Sequence, residues 1–130
     1  MRLRNELYKV LNDSYSDECT KFDIELNPDH FIYHAHFPEE PITPGVCLIQ
    51  IAKELLESCV NHALHIEKIK NVKFLSVVSP IDTQRVTYTI GNIIKTNENG
   101  SIKTQVVVSN ENTKFAKISM TCSYYARSYR

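Results

Sequence analysis

Hydrophobic and polar residues alternate along much of the second half of the chain. Every second position is apolar in several segments, which include parts of residues 18–26, 66–78, 86–90, 102–108 and 116–124. A period of two is typical of β-strands that bury one face. Turn-like residues at 97–100 and 110–113 separate the later segments. The pattern therefore predicts one early strand and about four later strands that pair antiparallel.

Two other segments have helical spacing. Apolar residues recur every three or four positions in residues 2–12, which predicts a short amphipathic helix. A second helix is predicted over about residues 44–62, because Thr43 can cap it and Pro44 suits the first helical position. Its first two turns are apolar on nearly all sides except at Gln50, so we expect this helix to be buried.

The order of these elements predicts an α+β fold with a single domain over residues 1–130. One long central helix would be wrapped by an antiparallel sheet, which would bury the apolar surface of the helix on several sides. Residues 30–43 are expected to form an irregular loop, and residues 126–130 a frayed tail.

Charge and composition narrow the choice of partners. The chain has 15 Lys/Arg and 15 Asp/Glu, so no overall field favours nucleic acid. Residues 1–60 carry 5 basic against 11 acidic residues, and residues 61–130 carry 10 against 4. The basic half, with Lys68, Lys70 and Lys73, is either a docking patch for an acidic partner or an ordinary solvated surface.

The location of the protein is also an expectation from composition. No apolar stretch approaches the roughly 18 residues of a membrane helix, so we expect no membrane insertion. The four cysteines are widely spaced and form no CxxC pair. Reduced thiols in the cytoplasm are the simplest interpretation.

One segment carries a strong motif. Residues 36–46 read His-Phe-Pro-Glu-Glu-Pro-Ile-Thr-Pro-Gly-Val, which resembles the HFPGxPxxPGV signature of the 3-hydroxyacyl-acyl-carrier-protein dehydratases. Residues 72–74 and 78–82 are similar to the VKF and V.PGD segments of that family. The resemblance covers roughly residues 20–125. It implies a hotdog fold and an obligate dimer with active sites between the subunits.

The resemblance also implies roles for individual residues. His36 matches the catalytic histidine, which accepts a proton, and Gly45 matches the residue whose amide polarises the thioester carbonyl. The free N–H groups of a helix N-terminus suit that second role. Ile42 falls where a backbone carbonyl would orient the imidazole. The substrate-binding positions would be Phe37, Pro44, Val46 and Phe74.

The family's catalytic acid is missing. The family places Glu or Asp fourteen positions after the histidine, and this chain has Gln50 there. An amide can orient a water or a hydroxyl but cannot deliver a proton, and loss of a positioned acid costs about 10²- to 10⁴-fold. Glu54, one helical turn further on, is a poorly placed substitute. Gln50 either belongs to the site or continues a polar stripe with Glu54, Glu57 and Asn61.

Two hypotheses follow from the sequence. The first is a dehydratase, a hydro-lyase of fatty acid or related lipid or polyketide synthesis, which acts on a 3-hydroxyacyl thioester held by acyl carrier protein. The second is a non-catalytic hotdog subunit that binds this carrier or completes a heterodimer with a catalytic dehydratase. Thioester hydrolysis is a weaker third.

The expected partners and cofactors are the same in both cases. The protein would be a homodimer or a hetero-hotdog dimer, or part of a larger assembly. No cofactor is expected beyond the phosphopantetheine arm of the carrier, which holds the substrate. A metal site is not favoured, because no carboxylate or cysteine completes a ligand set with His30, His34 and His36.

Overall fold

A computed structural model describes residues 2–95 and 100–125. In these ranges the chain forms seven strands and two helices. In chain order they are β1 (Tyr8–Tyr15), β2 (Thr20–Leu26), α1 (Ile32–Ala35), α2 (Gly45–Val60), β3 (Leu64–Phe74), β4 (Arg85–Ile90), β5 (Ile94–Lys95), β6 (Ser101–Ser109) and β7 (Lys114–Tyr124).

The strands form one antiparallel sheet in the order β1-β2-β4-β6-β7-β3, and β5 pairs with β6. The register places alternate apolar residues side by side, as in the row Phe22, Tyr88, Val108 and Ala116. All four are buried in the core, together with most of the apolar residues of α2. The alternation in the sequence is therefore the inner face of the sheet, and the predicted α+β architecture is confirmed.

Helix α2 occupies nearly the predicted range, but its first turn differs from the prediction. Pro44 is the N-cap with extended backbone angles, and it makes no side-chain cap. Thr43 does not cap the helix, because its hydroxyl is hydrogen-bonded to the Tyr33 hydroxyl at 2.9 Å. The helix ends at Asn61, which has a left-handed conformation (φ 54°) that closes the last turn.

The predicted helix over residues 2–12 is wrong. Residues 3–7 form a turn in which the Leu7 N–H donates to the Leu3 carbonyl at 2.8 Å. The chain then continues as β1, an edge strand that pairs with β2. A register shift between Val10 and Asn12 interrupts the alternation of β1. The bulge and the turn together give apolar spacings that imitate a helix.

The remaining predictions of local structure have mixed outcomes. The loop predicted over residues 30–43 contains the short helix α1. Strand β5 has only two residues and carries no alternation from which it could be predicted. The predicted tail at 126–130 and most of the predicted turn at 97–100 lie outside the described residues.

Candidate active site

The loop between α1 and α2 is held in place by three hydrogen bonds, one within the loop and two to residues outside it. The Ile42 N–H donates to the His36 carbonyl at 3.0 Å, and the Thr43 N–H donates to the Val78 carbonyl at 2.7 Å. The bond between the Thr43 and Tyr33 hydroxyls is the third. This arrangement holds His36 at the surface, with its ring stacked on Phe37 at a centroid distance of 4.7 Å.

The N-terminus of α2 follows this loop and has free backbone donors. The N–H groups of Cys47 and Leu48 donate to the Pro44 carbonyl at 2.9 and 3.2 Å. Within residues 2–95 and 100–125, the N–H groups of Gly45 and Val46 have no acceptor. Such donors, at the positive end of a helix dipole, attract developing negative charge.

His36 and the helix N-terminus line the same cavity, which has a volume of about 360 Å³. Four of the predicted site residues meet here: His36, Pro44, Gly45 and Phe74. Its walls are mainly apolar, formed by Ile42, Leu48, Leu75, Val77 and Val78 among others. The predicted substrate-binding residues Phe37 and Val46 are not among the lining residues and are exposed beside it. A larger cleft of about 480 Å³ on the sheet contains none of the predicted site residues.

Phe74 lies directly over Gly45. A Cβ atom added to Gly45 would lie 2.6 Å from Cζ of the Phe74 ring, closer than non-bonded carbons approach. The side chain of Phe74 is half exposed, so its ring has room to move. Glycine at position 45 therefore permits the close packing of the β3 terminus on the start of α2.

Gln50 does not reach this cavity in the single chain. It lies five residues after Gly45, which is about 7.5 Å along a helix. Its Nε2 donates to Oε2 of Glu54 at 2.9 Å. The active site between subunits that the resemblance implies would bring His36 to Gln50 of a second subunit, and this pairing stays a prediction. The Ile42 carbonyl makes no hydrogen bond to the His36 imidazole within the described part of the chain.

Glu54 has a structural role that its sequence position does not reveal, since the sequence suggests it only as a substitute acid. It is 1% exposed. Its oxygens accept hydrogen bonds from the backbone N–H groups of Leu3 (2.8 Å) and Arg4 (2.9 Å). They also accept one from the Tyr8 hydroxyl (2.9 Å). Together with Gln50, four donors of the described residues surround one carboxylate, so its acceptor positions are occupied by the protein.

Glu57, the next acidic residue on α2, has a similar role. It is 9% exposed and accepts a hydrogen bond from the Leu64 N–H at 2.8 Å. Lys53 and Arg2 each lie 3.5 Å from its carboxylate. The polar stripe on α2 is therefore not a solvated face. It attaches the N-terminal segment and the start of β3 to the central helix.

The sequence of the chain matches the model of a known protein family. A family model, ApeI-like and described as ApeI dehydratase, matches residues 12–118, which is most of the chain. The chain belongs to the ApeI-like dehydratase family. The predicted relationship to hotdog dehydratases is confirmed.

Individual relatives agree with this membership. The chain is 34% identical over 68 residues to a 3-hydroxyacyl-acyl-carrier-protein dehydratase FabZ from Wolbachia pipientis wMel, which covers 47% of this chain and 46% of the relative. The chain thus spans about half the length of that relative. It is 30% identical over 98 residues to a FabZ from Wolbachia pipientis subsp. Culex pipiens (strain wPip), with coverage of 61% and 68%.

A solved structure supports the fold. The structure described as the dehydratase heterocomplex ApeI:P from Xenorhabdus doucetiae contains a chain that superposes with a TM-score of 0.67. The match is 14% identical in sequence and covers 88% of this chain and 96% of the other. The predicted hotdog fold is confirmed by such neighbours.

The pKa values of several groups near the candidate site differ from their usual values. Burial raises the pKa of the Cys47 thiol and that of Tyr33. Burial, and then the charge of Glu54, raise the pKa of Tyr8 far above its usual value. These groups stay protonated at neutral pH, so Cys47 is not an activated nucleophile.

Large apolar side chains are exposed around the cavity of this ApeI-like chain. Val46 is 71% exposed although it lies in the first turn of the central helix. The others close to the site in sequence are Phe31, Phe37, Phe74, Leu75, Val77 and Ile81.

The remaining candidates from the sequence are placed as follows. Lys68, Lys70 and Lys73 are exposed on β3, at the edge of the sheet, and Lys73 lies directly opposite Lys117 of β7. Among the described residues, no group of three His, Cys, Asp or Glu side chains has a metal-binding arrangement. In the same ranges, neither helix has the length and apolar character needed to cross a bilayer.

Proposed function

We propose that this protein is a dehydratase that acts on 3-hydroxyacyl thioesters, with His36 as its acid–base group. One observation carries the proposal: His36 and Gly45, whose N–H has no acceptor among the described residues, line one cavity with mainly apolar walls. Dehydration of a 3-hydroxyacyl thioester requires a base and a donor that stabilises negative charge on the thioester oxygen.

In the proposed reaction, the His36 imidazole removes a proton from the carbon next to the thioester carbonyl. Negative charge then develops on the carbonyl oxygen, where the Gly45 N–H donates a hydrogen bond. As the bond from the next carbon to its hydroxyl breaks, the imidazolium returns the proton to the departing oxygen. The products are an enoyl thioester and water, and His36 is restored to its neutral form.

Gln50 has an orienting role in this scheme. Its amide, contributed by a second subunit, would hold the leaving hydroxyl or a water without donating a proton to complete the reaction. The same histidine would therefore serve as base and acid. This accounts for activity without a carboxylic acid at position 50.

The substrate and its carrier are part of the proposal. The apolar wall of the cavity suits an acyl chain, and FabZ relatives are named for acyl-carrier-protein substrates. We propose that the phosphopantetheine arm of acyl carrier protein presents the substrate and that no further cofactor takes part. Lysines on β3 offer charge complementarity to such an acidic carrier. The four free cysteines are compatible with a cytoplasmic location.

We further propose that the working unit is a dimer of hotdog subunits. The exposed apolar residues beside the cavity, such as Val46, Val77 and Ile81, support a covering subunit. A heterodimer is a specific possibility, because a chain of similar fold is described as part of a dehydratase heterocomplex.

A second candidate function is a non-catalytic subunit, and Gln50 favours it. Position 50 has no acid, and the next carboxylate on the helix is occupied by four donors. In this case the chain would bind acylated carrier or complete a partner's site without performing chemistry.

The deciding experiment is turnover of 3-hydroxyacyl and trans-2-enoyl thioesters by the purified protein, alone and with a second hotdog dehydratase subunit. We expect hydration of the enoyl thioester, and His36→Ala should lower its rate by about 10²- to 10⁴-fold. The matched control is His34→Ala, since His34 is exposed in the same segment but does not line the cavity. Binding of acylated carrier with no turnover under any condition would support the second candidate.

A further inference from the structure

The carboxylate of Glu54 links two parts of the protein that are far apart in sequence. Oε2 accepts from the Leu3 N–H at 2.8 Å and from Gln50 Nε2 at 2.9 Å. Oε1 accepts from the Arg4 N–H and from the Tyr8 hydroxyl, both at 2.9 Å. Three of the four donors belong to residues 3–8, and the fourth is the side chain at the position of the family's catalytic acid.

This geometry permits only one orientation of the Gln50 amide. If the amide were rotated by 180°, Oε1 of Gln50 would face an oxygen of Glu54 at hydrogen-bond distance, with no proton between them. Two acceptors at that separation repel each other. Glu54 therefore fixes the amide nitrogen toward itself and turns the carbonyl oxygen of Gln50 to the other side.

We propose that Glu54 is a positioning residue of this site: its carboxylate sets the orientation of the group at position 50. This inference rests on the proposed function, because it assigns a use to Gln50. The backbone donors of the N-terminal segment hold Glu54 in place, so docking of residues 3–8 on α2 is coupled to the geometry of the site. Glu54 is hydrogen-bonded to Gln50 and does not line the cavity, and hence it would act through Gln50.

Glu54 would also control the protonation of an acid placed at position 50. In a Gln50→Glu variant two carboxyl groups would lie at hydrogen-bond distance, and like charges so close cannot both ionise easily. The pair would retain one proton to a higher pH than a single carboxyl. The other charged or titratable groups near the pair are Arg2, Arg4, Tyr8, Lys53, Glu57 and His62.

The first test measures this titration directly and needs no activity. The protein is labelled with ¹³C at the glutamate carboxyl carbons, and its NMR spectrum is followed with pH in the Gln50→Glu variant and in Gln50→Glu/Glu54→Gln. We expect the upper titration step of the carboxyl at position 50 to lie at least about one pH unit lower in the double variant. There the amide introduced at position 54 can donate to the new carboxylate and favour its charged form.

The matched control is Gln50→Glu/Glu57→Gln. Glu57 lies on the same helix and accepts a backbone N–H at 2.8 Å, as Glu54 does. Its carboxylate faces the Leu64 N–H, Lys53 and Arg2, whereas the Gln50 amide donates to Glu54. In this control the upper titration step at position 50 should stay within a few tenths of a pH unit of its position in the single variant. The charge lost at position 57 lies further along the helix, and its effect on position 50 is reduced by screening.

A second variant keeps the test decisive if Glu54→Gln fails to fold. Tyr8→Phe in the Gln50→Glu background removes one donor to Glu54 and retains its carboxylate. The ionised pair then loses support, so the shared proton should be held more tightly and the upper step should move to higher pH. An unchanged upper step in the Tyr8→Phe background, or in the Glu54→Gln background where that variant folds, would overturn the proposal.

The kinetic arm uses the native Gln50. Glu54→Gln should lower kcat by about 3- to 10-fold with KM within about two-fold, because orientation and not binding is lost. Glu57→Gln should leave kcat unchanged. Equal kcat in the two variants would contradict a positioning role. If the wild-type protein has no turnover at all, the proposed function fails, whereas the NMR titration still decides whether Glu54 governs position 50.

Discussion

The first turn of α2 and its middle turns use their polar groups in different ways. At the first turn, the N–H groups of Gly45 and Val46 have no acceptor in the described ranges, and the exposed His36 lines the same cavity as Gly45. In the middle turns, the carboxylates of Glu54 and Glu57 are buried and accept hydrogen bonds from distant parts of the chain. The first turn of α2 is thus open to a ligand, whereas the polar groups of the middle turns hold the fold together.

This difference indicates which part of α2 can take part in a reaction. An unpaired donor beside an apolar cavity is costly unless a substrate or water satisfies it. The oxygens of the Glu54 carboxylate already accept hydrogen bonds from four donors of the described residues, so they are not free to bind a substrate. The carboxyl group that the motif resemblance implies at position 50 is an amide in Gln50, and the next carboxylate on the helix, Glu54, is occupied by other donors.

The largest effect is expected from a substitution in the first turn of α2. Gly45→Pro removes the N–H that we assign to the thioester oxygen, and proline is tolerated at the first helical position. Pro44 already has the extended angles (φ −60°, ψ 144°) that a following proline requires. We expect kcat for enoyl thioester hydration to fall about 10²- to 10³-fold.

The control for this variant is Gly45→Ala, which introduces the same Cβ contact with Phe74 but keeps the N–H. It should lose much less activity than Gly45→Pro. If the two variants are equally impaired, displacement of the Phe74 ring explains the loss and the amide has no special role.

The second prediction concerns a substitution in the middle turns of α2 that would add a catalytic group to the site. Gln50→Glu introduces the carboxyl that the motif resemblance implies at this position, and the neighbouring Glu54 should keep it protonated. We expect the rate of a weak or partner-dependent wild type to rise by roughly ten-fold or more. Steady-state hydration assays at several pH values measure this. If the wild type is already fast, no gain or a loss would place Gln50 in an altered mechanism.

The third prediction concerns the stability of the protein and tests the middle turns of α2. Glu57→Ala removes the acceptor of the buried Leu64 N–H, so we expect the free energy of unfolding to fall by about 1–3 kcal/mol. Denaturant titration followed by circular dichroism measures the change. Glu111→Ala, at an exposed turn, is the control and should change stability little. A Glu57→Ala protein as stable as the wild type would contradict the structural role that we assign to the middle turns of α2.

The smallest expected effect is a pH dependence. The pKa of Tyr8 is raised in the folded state, by burial first and then by Glu54, above the value of about 10 that it has when unfolded. Its contribution is therefore fully present below pH ~10 and is lost as the pH rises further. Tyr8→Phe should make stability fall less steeply above pH ~10, as denaturant titrations at several pH values would show. Tyr15→Phe, at an exposed position, should not have this effect.

The regular parts of the fold follow from local pattern, and the exceptions have identifiable causes. The apolar first turns of α2 and the alternation in β4, β6 and β7 predicted buried elements that the structure contains. The prediction for the N-terminal segment failed because a bulge at Val10–Asn12 disturbs the period of an edge strand. A one-residue irregularity shifts every following side chain to the other face.

The site could be predicted only in part. The motif at residues 36–46 indicated His36 and Gly45, and the cavity brings both together with Phe74. The role of Glu54 was out of reach, because Leu3 is 51 positions away from it and Tyr8 is 46. Two of its partners are backbone amides, which have no identity in the sequence. The proposed role of Gln50 also depends on a second subunit, which one chain cannot supply.

The three bonds that fasten the loop before α2 have a consequence for affinity. Thr43 is tied both to Val78 and to Tyr33, and His36 is tied to Ile42, while prolines on either side restrict the backbone. The entropy of ordering this segment is therefore lost once, when the chain folds, and not each time a ligand arrives. The backbone that carries His36 is therefore ordered before a ligand arrives, so less of the interaction energy of a bound thioester is lost in ordering the loop.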